Sequence, residues 1–514
     1  MTRRAFVLAS FVGLAFGIAT PTKADPIREM TALARAGLMH HAILDFDLAR
    51  ARTLAGQDRQ ASGPLLLERT RLLIHESNYD DASRMIGPSD EMADKEGAEL
   101  AGIAFGSARA MAGTVTVAED AGEVVVGLQD EEDRSLIPYL RDTATRVRAT
   151  LLKDLGVELP KPIRIELVRD QFTLAAMTGL PKEAAQTTGT VAIAKWGRVT
   201  MVSPRATSRG YGWLDTLAHE MTHLALSKGT LDKAPLWMQE GVAKREETRW
   251  RDPEPLDHTP SSDAIAAAGF ARGIARPFDK LGPSIAMLPS AEEAMVAFAG
   301  VSSFMRFWMD AVGQDALAQL VLRVRSITRS EDVNRCFTDV SGIDFATWQQ
   351  RWRQHLVDTH LPAPDDVFPN PERAAAQKKL SQHVRLAELL QERGHSEESV
   401  LYFGRAHTAM PTEASLRCGL ALAMMRTGGR SSAELLVANP SEITTRHGRY
   451  WSVRGLFQAQ SLVSEPSFTW ALELDPLDAG VACEEKIAPE LPSDALRSAL
   501  CETARRGQRW ADSK

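Results

Sequence analysis

The chain has 514 residues, a formal net charge of −7 and a pI near 6.0. Hydrophobic residues make up 44% and charged residues 25%, the balance of a globular protein with room for about three domains. The acidic balance, with no long block of one charge, excludes a general nucleic-acid binder.

Residues 1–24 read as an export signal. Met1-Thr2-Arg3-Arg4 supplies the positive start, Ala5 to Ala19 is an uncharged apolar run, and Thr22-Lys23-Ala24 precedes Asp25 with small residues at the cleavage positions. Thr2-Arg3-Arg4-Ala5-Phe6-Val7 fits a twin-arginine signal or an ordinary basic start. The apolar run is short for a membrane span. The mature protein is therefore expected in the periplasm or outside the cell, with no stable membrane anchor after signal cleavage.

Residues 25–110 are expected to be helical. Gly37, Ala42, Phe46 and Ala49 have the small-and-large spacing of half a tetratricopeptide-like (TPR-like) repeat, and Tyr79 and Ala82 repeat part of it. Generic amphipathic helices would give the same pattern.

The character changes at residue 111. Thr114–Ala118 and Glu123–Leu128 are β-branched or alternating around Glu119-Asp120-Ala121-Gly122, which predicts a hairpin. Residues 132–156 predict a long helix. Ile163–Val168, Thr190–Ala194 and Arg198–Val202 predict three strands, the last two joined through Lys195-Trp196-Gly197. Strand 198–202 is nearest the following helix in sequence, so it is the expected sheet edge, open to an extended peptide or purely structural.

The segment Trp213–Lys228 has apolar residues at helical spacing and no Pro or internal Gly, with Gly212 before it and Gly229 just after as start and stop. It carries H-E-M-T-H, in which His219 and His223 lie one turn apart on one face. Two neutral imidazoles so placed suit a zinc ion, which in catalytic sites typically takes three protein ligands and keeps one position for water. Glu220 sits beside that open position, placed as general base. Glu240, seventeen residues past His223, is the expected third ligand. Pro235 can start its helix, the turn from Lys228 to Lys233 folds that helix back, and Gly241 would let the two helices approach closely. Glu247 lies on the same face as Glu240 and is a candidate to hold one histidine from behind. In its run Lys244-Arg245-Glu246-Glu247 it reads equally as a solvated charge.

H-E-M-T-H followed by P-L-W-M-Q-E-G-V-A resembles the gluzincin zinc peptidases, and among them the peptidase MA-like family. The resemblance covers about residues 111–360, with its specific part in 213–247. It implies an α+β, zincin-like peptidase domain with a mixed sheet. It also implies His219, His223 and Glu240 as Zn2+ ligands, Glu220 as catalytic base, and a peptide or protein substrate. One departure stands out. Many gluzincins place a Tyr or His downstream of the third ligand to stabilise the oxyanion, but no Tyr lies between Tyr211 and Tyr402, and Phe298 stands where relatives carry Tyr. His258, Arg205, Arg209 and Tyr211 are substitutes by position, each also readable as an ordinary side chain, and the metal itself is a further one.

Residues 263–360 predict helices near 291–310, 313–326 and 343–357, with Phe298, Phe304, Phe307 and Trp308 as core. Residues 361–372 (LPAPDDVFPNPE) read as a linker. Beyond it, Ala387, Leu390, Gly394, Ser399, Phe403, Ala406 and Pro411 resemble a tetratricopeptide repeat position by position, and Phe468, Ala471 and Pro476 repeat its end. Residues 373–514 are thus expected to be helical hairpins, a surface for a protein partner or a structural cap. Of the four cysteines, Cys483 and Cys501 are the expected disulfide pair. The whole predicts an exported zinc peptidase flanked by helical repeats. The alternative is a peptidase-like scaffold with little or no turnover that binds partners.

Overall fold

The structure is a computed structural model. It describes residues 30–505 except 57–61, 88–93, 119–121, 182–188, 208–209, 254–256, 258–259, 330–331, 365–367, 369–370, 412, 440–447, 459–466, 478–482 and 484–497. The expected export signal, His258 and Arg209 lie outside the described residues. Among the described residues no helix is long and apolar enough to cross a membrane.

Helices dominate around one small mixed sheet. The N-terminal helices are α1 (Ala32–Leu44), α2 (Leu48–Ala55), α3 (Gly63–His75), α4 (Tyr79–Ile86) and α5 (Lys95–Ala110). Tyr79 and Ala82 are buried as expected. Ala42 is buried too, whereas Ala49 is exposed and a side chain at Gly37 would meet nothing. Phe46 lies in the α1–α2 turn at φ 58°, with its ring edge-on to His75.

The strands are β1 (Val115–Ala118), β2 (Val124–Leu128), β3 (Ile163–Val168), β4 (Ala192–Lys195) and β5 (Arg198–Val202), in the order β1-β2-β3-β5-β4. β1 and β4 run antiparallel to their neighbours, while β2, β3 and β5 run parallel. Strand 198–202 is therefore interior, and the edge beside it is β4. Every residue of β5 is buried, the pattern of a strand covered on both faces. β4 reaches the edge by a tight reversal in which Trp196 (φ 50°) and Gly197 (φ 69°) are both left-handed, the hairpin turn that matches strand twist. Gly197 is needed twice over, because a Cβ there would sit 2.1 Å from the His75 ring.

Ile163, Ile165 and Leu167 join one large core with α6 (Ile137–Leu155) and α8 (Trp213–Thr230). The expected helix from 132 begins instead as a 3₁₀ turn, Glu131–Leu136, and becomes α-helical where a Pro sits in the first turn. Val168 and Val202 join a second core with α3, α4, α5 and α7 (Gln171–Thr178) on the other face.

After α8 come α9 (Leu236–Glu246), α10 (Ser262–Ala271), α11 (Ala291–Val312), α12 (Ala316–Ser326), α13 (Val333–Ser341) and α14 (Phe345–Asp358). Phe304 and Trp308 are fully buried, as expected. Trp237 on α9 stacks on Phe278 at 5.5 Å and meets Phe304 at 6.0 Å, so the third-donor helix is bolted to an aromatic core.

The final helices are α15 (Pro371–Glu392), α16 (Ser396–Ala409), α17 (Ala414–Arg426), α18 (Arg430–Val437), α19 (Gly448–Gln458) and α20 (Ser467–Leu474). Helix α15 starts inside the expected linker 361–372. Phe403 packs where Gly419 leaves space, and Phe468 does the same at Gly455. Cys483 and Cys501 form the expected disulfide, while Cys336 and Cys418 are buried.

Candidate metal centre

Helix α8 begins at Trp213, with Asp215 in its first turn, where a carboxylate favours the helix dipole. Asp215 accepts from the Trp250 indole at 2.9 Å and from Arg251 at 3.0 and 2.8 Å, and Arg251 also reaches Asp257. These bonds tie the start of α8 to the chain that follows α9. The helix ends at Thr230, two residues later than expected. Gly229 is its packing point rather than its stop, since a Cβ there would press on Val157 and Val321.

The α8–α9 turn brings the three expected donors together. His219 Nε2 and His223 Nε2 are 3.2 Å apart. Glu240 Oε2 stands 3.5 Å from His219 Nε2 and 3.6 Å from His223 Nε2. Two ligands held about 2.0–2.1 Å from a tetrahedral ion stand about 3.4 Å apart. The donor set, two imidazoles and a carboxylate, thus fits a zinc-sized ion by type and by spacing. Among the described residues this is the one group of three or more His, Cys, Asp or Glu side chains able to share an ion.

Glu240 is held from its own helix neighbour, though not as expected. A Cβ at Gly241 would sit 2.7 Å from the Val301 carbonyl and 2.6 Å from Met305. The close approach is therefore between α9 and α11, not between α9 and α8.

The electrostatics follow from burial and proximity. Burial opposes charge on Glu240, yet His223 and His219 hold its carboxyl far below the usual carboxylate range. Burial also works against a charged His219, but the Glu240 and Glu247 carboxylates push it up to about 10. Burial raises Glu220, countered by the histidines and by the backbone N–H of Ala194, which donates to Glu220 Oε2 at 2.5 Å. Glu220 is 7% exposed, so this bond from the edge strand gives the buried carboxylate a partner.

Glu247 Oε2 stands 3.4 Å from His219 Nδ1, the ring nitrogen facing away from the other donors. Its Oε1 accepts from Lys244 Nζ at 2.6 Å. The structure thus places Glu247 behind the histidine, and the solvated reading falls.

The substitutes for the missing oxyanion group fare worse. The Tyr211 hydroxyl donates to the Val202 carbonyl on β5. Arg205 is taken by Asp130 at 2.6 Å and Asp133 at 3.0 Å. Sequence reasoning missed Ala194 and Lys244. No side-chain pattern announces a backbone donor, but Lys244 and Glu247 are three apart on one helix, a spacing that pairs charges.

No protein-family model matches the chain, and no curated protein sequence does.

Proposed function

We propose that the chain is a zinc-dependent peptidase of the gluzincin kind, acting on peptides or proteins in the cell envelope. The observation that carries this reading is the near-equilateral spacing of His219, His223 and Glu240, with Glu220 on the same helix as the histidines. Bound there, zinc would supply Lewis acidity and an acidified water. Glu220 would accept the proton of that water and deliver it to the leaving amine. The N–H of Ala194 would steady the carboxylate between those transfers. β4, the edge strand that carries this N–H, is the natural place for an extended peptide to add as a further strand.

The disulfide between Cys483 and Cys501 supports an oxidising compartment and hence export. The helical hairpins after residue 371 are suited to holding a protein partner. A second reading, a peptidase-like scaffold with little turnover, is favoured by the commitment of the Tyr211 hydroxyl and Arg205 to other partners. The test is metal content of the purified protein beside a Glu240→Ala variant, with cleavage of a peptide library. About one zinc per chain, reduced in the variant, with chelator-sensitive cleavage supports the peptidase. Zinc without cleavage of any peptide supports the scaffold, and a folded chain that takes up no zinc overturns both the donor set and the peptidase.

A further inference from the structure

Lys244 is no donor, yet it lies one step behind the candidate metal centre. Its Nζ stands 2.6 Å from Glu247 Oε1, and the other oxygen of the same carboxylate stands 3.4 Å from His219 Nδ1. All three side chains are mostly buried, with relative exposures of 25% for Lys244, 17% for Glu247 and 13% for His219. We propose that Lys244 is a positioning residue: it locks the Glu247 carboxylate against His219 and so fixes the imidazole that presents Nε2 to the metal. The inference rests on the zinc reading above.

The physical case has three parts. A histidine that binds a metal through one nitrogen needs an acceptor at the other to fix its tautomer and ring angle. Glu247 is that acceptor, but it stands just past the end of α9 and reaches His219 across the gap between two helices. A glutamate side chain reaching that far has several other rotamers, and these would carry it away from the imidazole. Lys244 lies one turn back along the chain, where residues three apart face each other. Its ammonium takes one oxygen and leaves the second aimed at His219. The same ammonium also opposes a divalent cation by simple charge repulsion, so the sign of its net effect on metal affinity separates positioning from bare electrostatics.

The experiment is zinc affinity of the full chain, measured by competition with a chromogenic chelator, for wild type, Lys244→Met, Lys244→Arg, Glu247→Ala and the double variant Lys244→Met/Glu247→Ala. Circular dichroism and urea unfolding check that each variant is folded. Loss of the carboxylate behind the histidine is expected to weaken zinc about 10- to 100-fold. Lys244→Met is expected to weaken it several-fold, with most of the loss recovered in Lys244→Arg. In the Glu247→Ala background the lysine has nothing left to position, so the double variant should bind no more weakly than Glu247→Ala alone. Unchanged or tighter zinc in Lys244→Met, while wild type binds one zinc, overturns the positioning role and leaves the metal reading standing. An undiminished Lys244→Met effect in the Glu247→Ala background also overturns it. A folded wild type that binds no zinc sinks the metal reading itself and the inference with it.

Discussion

The backbone N–H of Ala194 donates to Glu220 Oε2 at 2.5 Å, joining the edge strand of the sheet to the glutamate between the two histidines. The bond fixes one oxygen of the Glu220 carboxylate, and on the proposed reading that holds the general base in place. Glu220→Gln should keep the fold and the zinc stoichiometry while cleavage falls about 10²- to 10⁴-fold. Parallel metal analysis and turnover of one peptide would check this. Loss of zinc in the variant would mean that Glu220 is a structural or ligand residue instead.

Gly241 holds α9 against α11 with no space for a side chain. A Cβ would lie 2.7 Å from the Val301 carbonyl, which is backbone and cannot swing aside. Gly241→Ala should therefore cost about 1–3 kcal/mol of stability, the usual range for overpacking. Because Glu240 is the preceding residue, zinc affinity should fall as well. Urea unfolding and chelator competition on the same preparation would test both effects, and a neutral outcome would mean that α9 moves freely.

His75 gives a stability effect with a definite pH window. Burial first, then the Arg198 and Arg164 charges, push its imidazole down to about 3, so it is neutral in the folded protein. An unfolded histidine titrates near 6.5. Below that value the unfolded chain binds a proton that the folded chain refuses. Stability contributed by this residue is full above about pH 6.5 and falls at up to about 1.4 kcal/mol per pH unit as the medium is acidified toward 3. In His75→Phe this part of the slope should vanish. Urea midpoints at pH 7.5, 6 and 5 for the two proteins would show it, and parallel slopes would refute it.

Trp213, the first residue of α8, is fully buried and donates its indole N–H to the Glu473 carbonyl at 2.6 Å. Trp213→Phe should remove that bond and cost about 0.5–1.5 kcal/mol. Thermal unfolding followed in the far ultraviolet would measure this. No change would mean that the contact between α8 and the last described helices adds nothing to stability.

The site was more legible than its surroundings. His219, His223 and Glu240 could be read because helical periodicity fixes residues four apart, and because Pro235 marks where the second helix begins. The interior position of β5 was hidden. Chain order favours 198–202 as the strand beside the metal helix, but the hairpin at Trp196-Gly197 turns the chain outward and gives the edge to β4. Gly241 was recognised as a packing residue and assigned to the wrong partner, since a sequence shows the absence of a side chain and not what fills the gap. Ala406, three residues after Phe403, is buried, whereas Ala49, three residues after Phe46, is exposed, because local spacing cannot report which face a neighbour covers.

The carbonyls of Glu473 and Leu474 receive the Trp213 indole and the Tyr211 N–H, the latter at 2.9 Å, and Gly210 makes way for that chain. Every residue assigned to chemistry precedes residue 248, and a Pro-rich stretch at 361–364 invites a cut. A gene truncated there would still encode the complete donor set. Its product would leave the start of α8 bare, with two donors and the face of a tryptophan open to water. Stop codons after residue 364 but before residue 473 should thus weaken the candidate site although they leave all its donors encoded, and the site depends on chain more than two hundred residues past its last donor.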